Sequence, residues 1–369
     1  MVHSLDRSKN TRTTIYDIAR IASVSPSTVS RSLKNDTRIG LKTREKIQSI
    51  AEELGFRPSR VGKALATGRS QVIALVITDV SNPFFPEIIY GVEDKALEKD
   101  YYVSFWNTRE DVERERRYLK MLEKGSFDGV ILAASRVSQR DILNLVNRSI
   151  PCVVMNRVVK GIPSVVTDSQ RGLYLATRHL IDEGYRRLAF FNGPGRAYAS
   201  RQRKKGFLQA TYEAELDENK VSVSHNPPTH EGGFRALMQL KGVLPEAIVT
   251  YDDLMAIGVM GACRKMGIKI PQDLALVGFD DISQASYSDP PLTTVRQPRY
   301  FMGQVAMNML FDFLSGRRLS SETVFLQPEL VIRESCGCVK NEKGDEGLCP
   351  EGSRRPGAGI RLYPGQRNS

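Results

Sequence analysis

The chain has 369 residues and a formal net charge of +11. This length accommodates a small domain together with two α/β units of ordinary size. The sequence has no apolar run of about 18 residues, and its N-terminus lacks the apolar stretch of a signal peptide. These features argue against a membrane-spanning or exported protein, so we expect a cytoplasmic one.

The positive charge is concentrated at the N-terminus. Residues 1–70 contain 14 Lys or Arg and 6 Asp or Glu, whereas residues 71–334 contain 33 and 32. A basic head on a nearly neutral body is typical of a protein that contacts phosphate groups at one end. A solvated basic tail is the alternative, but such a tail would not carry the amphipathic helices predicted in this segment.

Two short helices joined by a tight turn are predicted within TIYDIARIASVSPSTVSRSLK. Their apolar residues recur at helical spacing: Ile15, Ile18, Ala19 and Ala22, then Val29 and Leu33. Ser25 is a favourable N-cap for the second helix, and Pro26 suits its first position. Ser27, Thr28 and Arg31 then point outward from the start of this helix. Short polar side chains and one arginine at this place are typical of base reading in the major groove.

A third helix is predicted from Thr43 to Leu54, closed by Gly55. Its apolar residues again follow helical spacing: Ile47, Ile50, Ala51 and Leu54. Three amphipathic helices can bury one another, so we expect an all-α helix-turn-helix head over residues 13–57. Spacing alone leaves an ordinary surface helix pair equally open, and the third helix and the charge favour DNA binding.

Residues 58–70 are predicted to form a hinge helix and linker. An isolated helix of this length is marginal in water, so we expect it to order only when DNA and a partner chain hold it. Leu65 would then insert into a base step of the minor groove, with Lys63 near a phosphate. A plain linker with an incidental leucine is the alternative.

From Gln71 onward, apolar strands alternate with helical stretches. The predicted strands form a first set, 72–78, 102–106, 128–134 and 151–156, and a second set, 164–168, 186–193, 246–252 and 274–281. This alternation predicts parallel sheets covered on both faces, and the two sets predict two doubly wound lobes. Ligands of such folds bind at the carboxyl ends of the strands, here in the cleft between the lobes.

The cysteines and histidines predict neither a disulfide framework nor a metal site. The five cysteines are Cys152, Cys263, Cys336, Cys338 and Cys349. An odd number, with two in core elements, fits a reducing compartment. The last three resemble a metal site only weakly, since no histidine lies near them in a tail rich in Gly and Pro. His179 sits at amphipathic spacing on a helix, and we expect it to be structural.

An enzyme and a sugar-transport receptor are the rival classes. The sequence contains no HExxH, GxSxG or GxxxxGK[ST] pattern. Asp280 and Asp281 are adjacent on a strand and point to opposite faces, so they cannot flank one glycosidic bond. We therefore expect no catalytic residues, no enzymatic activity and no cofactor. A transport receptor would share the two lobes, but the basic head argues against it.

Several motifs in order resemble the LacI/GalR (lactose/galactose repressor) family of bacterial transcription regulators, from Thr13 to about Ser335. They are TIYDIARIASVSPSTVSRSLK, RPSRVGKALATGRS, ITDVSNPFFPEIIYGVE, GPGRAYASRQRKKGF, DDLMAIGV, LVGFDD, LTTVRQP and LQPELVIRES. The resemblance implies a homodimeric repressor whose heads each read half of a pseudo-palindromic operator. It also implies an allosteric effector in the cleft of a domain like the periplasmic binding proteins.

The resemblance divides the chain into four segments. They are a helix-turn-helix domain over 13–57, a hinge over 58–70, an effector-binding and dimerisation domain over 71–335, and a disordered tail over 336–369. Within the third segment, the N-lobe is expected at about 71–168 and 298–325, and the C-lobe at about 169–297 and 326–335.

Carried over by position, the resemblance implies a set of DNA-binding residues: Thr14, Tyr16, Ser25, Ser27, Thr28, Arg31, Lys63 and Leu65. Thr14 and Tyr16 match positions that touch the DNA backbone, and Leu65 matches the intercalating leucine of the hinge. Gly62 replaces the usual alanine and lowers helix propensity by up to about 1 kcal/mol. Pro26 stands where some relatives place a base-contacting side chain. Gly40 replaces the usual serine before the third helix and removes a cap.

The resemblance also implies an effector pocket: Phe84, Phe85, Ser135, Asn156, Arg203, Asp252 and Asp280. Asn156 replaces a frequent aspartate, and Asp252 stands where many relatives have asparagine. The arginine fork and the two acids, between aromatic walls, fit a polyhydroxylated ligand such as a sugar or sugar derivative.

The alternative for each single pocket residue is a helix-capping aspartate or a salt-bridged arginine, and we prefer this alternative for Asp253 and Asp281. Trp106 is equally consistent with stacking on a sugar and with core packing.

Overall fold

The computed structural model describes residues 13–56, 68–125, 127–317 and 322–338, and the backbone of 361–362. The chain divides into two compact units, Met1–Ser70 and Gln71–Ser369. The hinge positions Gly62, Lys63 and Leu65 and the tail cysteine Cys349 lie outside the described residues. No helix in the described ranges is long and apolar enough to cross a membrane.

The first unit contains the helices α1 (Ile15–Ala22), α2 (Pro26–Leu33) and α3 (Leu41–Glu53). Their buried residues form one small core: Ile18, Ala19, Ala22, Val29, Ile47 and Ala51. All six belong to the apolar positions predicted by helical spacing, which confirms the all-α head. Helix α3 begins two residues before its predicted start, and Gly40 before it offers no side-chain cap.

The N-lobe of the second unit is built on one parallel sheet. Its strands are β1 (Val72–Ile77), β2 (Tyr102–Asn107), β3 (Gly129–Ala133), β4 (Cys152–Met155), β5 (Ser164–Thr167) and β12 (Thr323–Leu326). They lie in the order β12-β5-β4-β3-β1-β2. The helices are α4 (Phe85–Leu97), α5 (Val112–Leu122), α6 (Gln139–Asn147) and α12 (Arg299–Leu314). Ile73 and Leu75 pack under α4 and α12, while Ala74 and Val76 pack under α5 and α6.

The C-lobe repeats this arrangement. Its strands are β6 (Leu188–Asn192), β7 (Val221–His225), β9 (Ala247–Thr250), β10 (Ala275–Asp280), β11 (Thr293–Arg296) and β13 (Glu329–Val331). They lie in the order β13-β11-β10-β9-β6-β7, and β13 alone runs antiparallel. Its helices are α7 (Ser169–Asp182), α8 (Tyr198–Glu213), α9 (His230–Met238), α10 (Asp253–Met266) and α11 (Ser283–Tyr287). The strand β8 (Gly242–Val243) pairs with β14 (Arg361–Leu362) outside this sheet.

Within the described residues, the chain passes between the lobes after β5, after β11 and after β12. The strand pattern wrongly groups segment 164–168 with the second set, whereas the resemblance assigns it to the N-lobe, and the strand does lie in the N-lobe sheet. Only a short connection follows β4, and Val154 pairs directly with Ser164. Strands β7, β11, β12 and β13 were not predicted, since they are short or lie near the edges of the sheets.

Two predictions about the segment after β13 are wrong. Cys336 and Cys338 were assigned to a disordered tail, yet both thiols are buried against the C-lobe. The premise that no histidine lies near them is also wrong, since Nε2 of His179 is 3.6 Å from Sγ of Cys338. Helix α7 and the segment after β13 are distant in sequence and meet only in the fold.

Candidate functional site

The start of helix α2 is capped by its own side chains. Oγ of Ser25 accepts a hydrogen bond from the backbone N–H of Thr28 at 3.1 Å, and Pro26 occupies the first helical position. The Ser25 hydroxyl also lies 2.7 Å from Oγ of Ser27. Ser27 and Arg31 are exposed, and Thr28 is half-buried. The first turn of α2 therefore presents polar side chains to solvent. The opposite face of the helix packs into the core of the head.

Thr14 and Tyr16 stand at the start of helix α1. The backbone N–H and the hydroxyl of Thr14 donate to Oδ2 of Asp17 at 2.9 and 2.7 Å, and these bonds lower the pKa of Asp17. The Tyr16 side chain is 70% exposed. The structure thus places Thr14, Tyr16, Ser25, Ser27 and Thr28 at the starts of two neighbouring helices and Arg31 in the last turn of α2. Their contacts with DNA stay predictions.

The second unit contains a cleft of about 1390 Å³ at the carboxyl ends of both sheets. The structure brings all of the predicted effector residues to its walls: Phe84, Phe85, Ser135, Asn156, Arg203, Asp252 and Asp280. Five strand ends or helix starts supply six of them and helix α8 supplies Arg203, so the cleft depends on the whole doubly wound fold. Their roles toward a ligand stay predictions.

Arg203, on helix α8, is buried at the C-lobe side of the cleft. Its guanidinium carbon lies 3.7 Å from the ring centre of Phe279 and 4.3 Å from that of Tyr251. Nη1 donates to the carbonyl oxygen of Tyr251, and Nη2 is 3.6 Å from Oδ1 of Asp280. Nε has no hydrogen-bond partner among the described residues. The rings thus fix a planar cation that retains an unused N–H donor.

Asp252 and Asp280 form a buried acidic pair beside this arginine. Oδ1 of Asp252 accepts from the N–H of Met255 at 2.9 Å, which caps helix α10, and Oδ1 of Asp280 accepts from Gln297 at 2.6 Å. Burial and the charge of Asp280 raise the pKa of Asp252 to about 7. Burial also raises the pKa of Asp280, but Arg203 and Gln297 oppose this shift. The two buried carboxyl groups therefore resist carrying negative charge at the same time.

The N-lobe contributes aromatic and uncharged polar groups to the same cleft. Phe84 and Phe85 pack edge to face with ring centres 5.3 Å apart at the start of α4. The Ser135 hydroxyl donates to Oε1 of Glu115 at 2.5 Å, and Asn156 follows β4 in a left-handed conformation with φ of 59°. Arg136 and Arg157 also line the N-lobe side, so both walls of the cleft carry charged groups.

Asp253 and Asp281 serve the protein framework, as expected. Oδ2 of Asp253 accepts from the N–H of Ile282 at 2.9 Å, deep inside the C-lobe. Asp281 pairs with Arg296 at 2.7 Å and Arg333 at 2.6 Å. Burial opposes ionisation of Asp281, but the hydrogen bonds from these arginines outweigh it and lower its pKa.

Trp106 lies outside the cleft, where it packs against Tyr118 and Phe127 with ring centres 5.2 Å apart. The structure therefore favours core packing over a role in stacking. Sequence reasoning missed Tyr251 and Gln297, which hold Arg203 and Asp280 in place. Their positions directly after strands β9 and β11 are the signal that points to them.

Comparisons with known proteins agree with both units. A family model described as "Bacterial regulatory proteins, lacI family" matches residues 14–59, and one described as "Periplasmic binding protein-like domain" matches residues 177–336. A crystal structure of the Lac repressor dimer, bound to operator and the anti-inducer ONPF, has a TM-score of 0.78 at 24% identity. The alignment covers 88% of this chain and 99% of that one. This likeness shows that the fold is shared.

Two further relatives are more informative about the family. A LacI family transcriptional regulator from Enterococcus faecium, solved with bound ribose, is 26% identical with a TM-score of 0.66, covering 72% of this chain and 98% of its own. The ribose operon repressor of Halalkalibacterium halodurans is 36% identical over 324 residues, which are 88% of this chain and 97% of the relative. A likeness of this extent, spanning head and body, establishes common descent: this chain belongs to the lacI family of bacterial regulatory proteins and is a DNA-binding transcriptional regulator.

Proposed function

We propose that the protein is a cytoplasmic, homodimeric repressor whose operator affinity is controlled by a sugar or sugar derivative in the cleft. The observation that carries the proposal is Arg203, fixed between Phe279 and Tyr251 beside two buried acids. The Arg203 guanidinium supplies N–H donors, and Asp252 and Asp280 supply acceptors. This combination suits neighbouring hydroxyl groups, each of which donates and accepts a hydrogen bond.

The aromatic wall supports the same class of ligand. Phe84 and Phe85 offer apolar surface to the C–H faces of a sugar ring, while the C-lobe wall addresses its hydroxyls. A relative from Enterococcus faecium was solved with bound ribose, and another is named as a ribose operon repressor. Ribose is therefore the first ligand to test.

The size of the cleft supports control through movement of the lobes. Its volume of about 1390 Å³ exceeds the roughly 300–1,000 Å³ of ordinary small-molecule pockets. A monosaccharide would contact both walls only after they approach each other. An effector that binds one arrangement of the lobes more tightly shifts the population toward it, and operator affinity changes by that difference in binding energy.

A ligand screen tests the proposal. Ribose, other pentoses, hexoses, disaccharides and nucleosides are compared by thermal unfolding of the full chain, and each stabilising compound is then added to operator-binding titrations. At 100 times its Kd, the effector is expected to stabilise the protein by about 2.7 kcal/mol. A compound that stabilises the protein without changing operator affinity is not the regulatory effector.

Two variants assign the binding to the proposed groups. Arg203→Lys keeps the charge but loses the planar donor fork, so we expect effector affinity to fall at least about tenfold. Arg235→Gln, which removes an exposed arginine on α9, is the matched control and should bind as the unchanged protein does. Equal affinity of Arg203→Lys and the control for the effector would refute the assigned site. Turnover of any sugar would show that the protein is an enzyme.

A further inference from the structure

A cluster of potential metal ligands lies in the C-lobe, built from His179 on α7 and from Cys336 and Cys338 after β13. Nε2 and the two Sγ atoms all lie within 4.8 Å of one another, and Nε2 is 3.6 Å from Sγ of Cys338. Zn–S bonds of about 2.3 Å and Zn–N bonds of about 2.0–2.1 Å give tetrahedral S···N edges of about 3.5–3.6 Å. The observed separation therefore already matches that of two ligands on one zinc ion.

We propose that His179, Cys336 and Cys338 bind a Zn²⁺ ion that fastens the segment after β13 to helix α7. The three protein ligands leave a fourth position for water. Binding displaces the proton of each thiol to solvent, and both sulfurs coordinate as thiolates. This proposal is independent of the effector site, since none of the three residues lines the cleft.

The turn that carries the cysteines is held firmly from several sides. Gly337 adopts a left-handed φ of 90° and its N–H donates to the carbonyl oxygen of Glu334 at 3.0 Å. The hydroxyl of Tyr185 donates to the carbonyl oxygen of Cys336 at 3.1 Å. The hydroxyl of Ser335, the residue before Cys336, donates to the carbonyl oxygen of Leu276 at 2.6 Å. The thiols thus have fixed positions before any metal binds, which reduces the entropic cost of coordination.

A second group of residues supports the sulfur ligands. The Thr293 hydroxyl accepts from the N–H of Arg333 at 2.8 Å, so its own proton is free to donate to Sγ of Cys336 at 3.2 Å. Donors of this kind stabilise metal-bound thiolates.

Glu183, the C-cap residue that follows α7, lies near enough to His179 to interact with it electrostatically. Its Oε2 is buried and has no hydrogen-bond partner in the described part of the chain. A buried carboxylate oxygen without a partner is costly in a site that holds no cation. A divalent ion next to His179 would compensate for it. This orphaned oxygen is a second observation, apart from the ligand geometry, that points to a metal.

Metal analysis of the full chain, made without a histidine tag and kept reduced, tests the proposal. We expect about one zinc per chain by mass spectrometry, and the charge-transfer absorption of cobalt–thiolate bonds when Co²⁺ replaces it. The variants Cys336→Ser and Cys338→Ser should each lower zinc affinity at least about a hundredfold. The variant Cys263→Ser changes a buried thiol outside the cluster and should retain the ion.

Cobalt titration of the unchanged protein keeps the test decisive if a variant fails to fold. Absence of the cobalt–thiolate band from the reduced, folded protein would overturn the proposal. Retention of stoichiometric zinc by a folded Cys336→Ser, Cys338→Ser double variant would overturn it as well. A disulfide between these two cysteines in protein taken directly from the cell would show a redox pair instead of a metal site.

Discussion

Asp252 combines two roles that pull its carboxyl group in opposite directions. As the N-cap of α10 it accepts the N–H of Met255, which favours the carboxylate. Its complete burial and the charge of Asp280 favour the neutral acid, and they prevail, raising its pKa from 3.8 to about 7. The residue that caps the helix is thus also a buried ionisable group in the wall of the cleft.

This shift predicts how stability depends on pH. The folded protein retains the Asp252 proton between pH 4 and 7, while the unfolded chain releases it. The contribution to stability is therefore fully present below pH 3.8 and is lost as the pH rises to about 7. Asp252→Asn keeps a good cap and removes this loss. Relative to the variant, the unchanged protein should lose up to about 1.4 kcal/mol per pH unit in that range.

Urea unfolding of the effector domain at several pH values between 4 and 7 measures this difference. Asp217→Asn, at an exposed aspartate that caps a short 3₁₀ helix, is the matched control and should follow the unchanged protein. A constant gap in stability between Asp252→Asn and the unchanged protein across this range would show that the Asp252 carboxyl ionises normally.

The elements that the sequence predicts best are those with a full apolar face of their own. Helices α1 to α3 each bury one apolar face, and the central strands β1, β3, β6, β9 and β10 are buried. Strand β13 has only three residues, too few for a period, and β7 alternates Val and Ser over only four residues at the edge of its sheet. The pocket residues follow from strand ends and family position. The contact between His179 and Cys338 does not follow from the sequence, because α7 and the segment after β13 meet only in the finished fold.

Helix α8 carries Arg203, and its packing on α7 depends on Gly206. A Cβ atom at this position would lie 2.0 Å from the carbonyl oxygen of Gln170. Since both elements are rigid helices, Gly206→Ala must separate them and displace Arg203. We expect a loss of about 1–3 kcal/mol in stability from overpacking, together with weaker effector binding.

Gly261→Ala on α10 is the matched control for this change. A Cβ atom there meets its nearest neighbour, in the Phe234 side chain, at 3.7 Å. Alanine should therefore be neutral or stabilise the helix by up to about 1 kcal/mol. Thermal unfolding and ligand titration of both variants provide the measurement. Equal stability of the two would show that α7 and α8 yield to the added methyl group without cost.

At the scale of the whole molecule, charge and ligand chemistry are divided between the two units. The first 70 residues carry a net charge of +8, whereas the effector cleft lies entirely within the second unit. Residues 58–70, the last of the first unit, are therefore the covalent link between the cleft and the head. Operator affinity has two components to separate, one from phosphate charge and one from base-specific contacts.

Leu65→Ala separates these components. If Leu65 inserts as an apolar wedge into the minor groove, its removal destabilises the bent, specific complex. The lysine and arginine contacts with phosphate remain. We expect affinity for a selected operator duplex to fall about tenfold or more, with the slope of log K against log salt unchanged. Affinity for unrelated duplex DNA should stay the same. Leu208→Ala, at an exposed leucine on α8, is the matched control. Normal operator binding by Leu65→Ala at every salt concentration would show that this leucine has no wedge role.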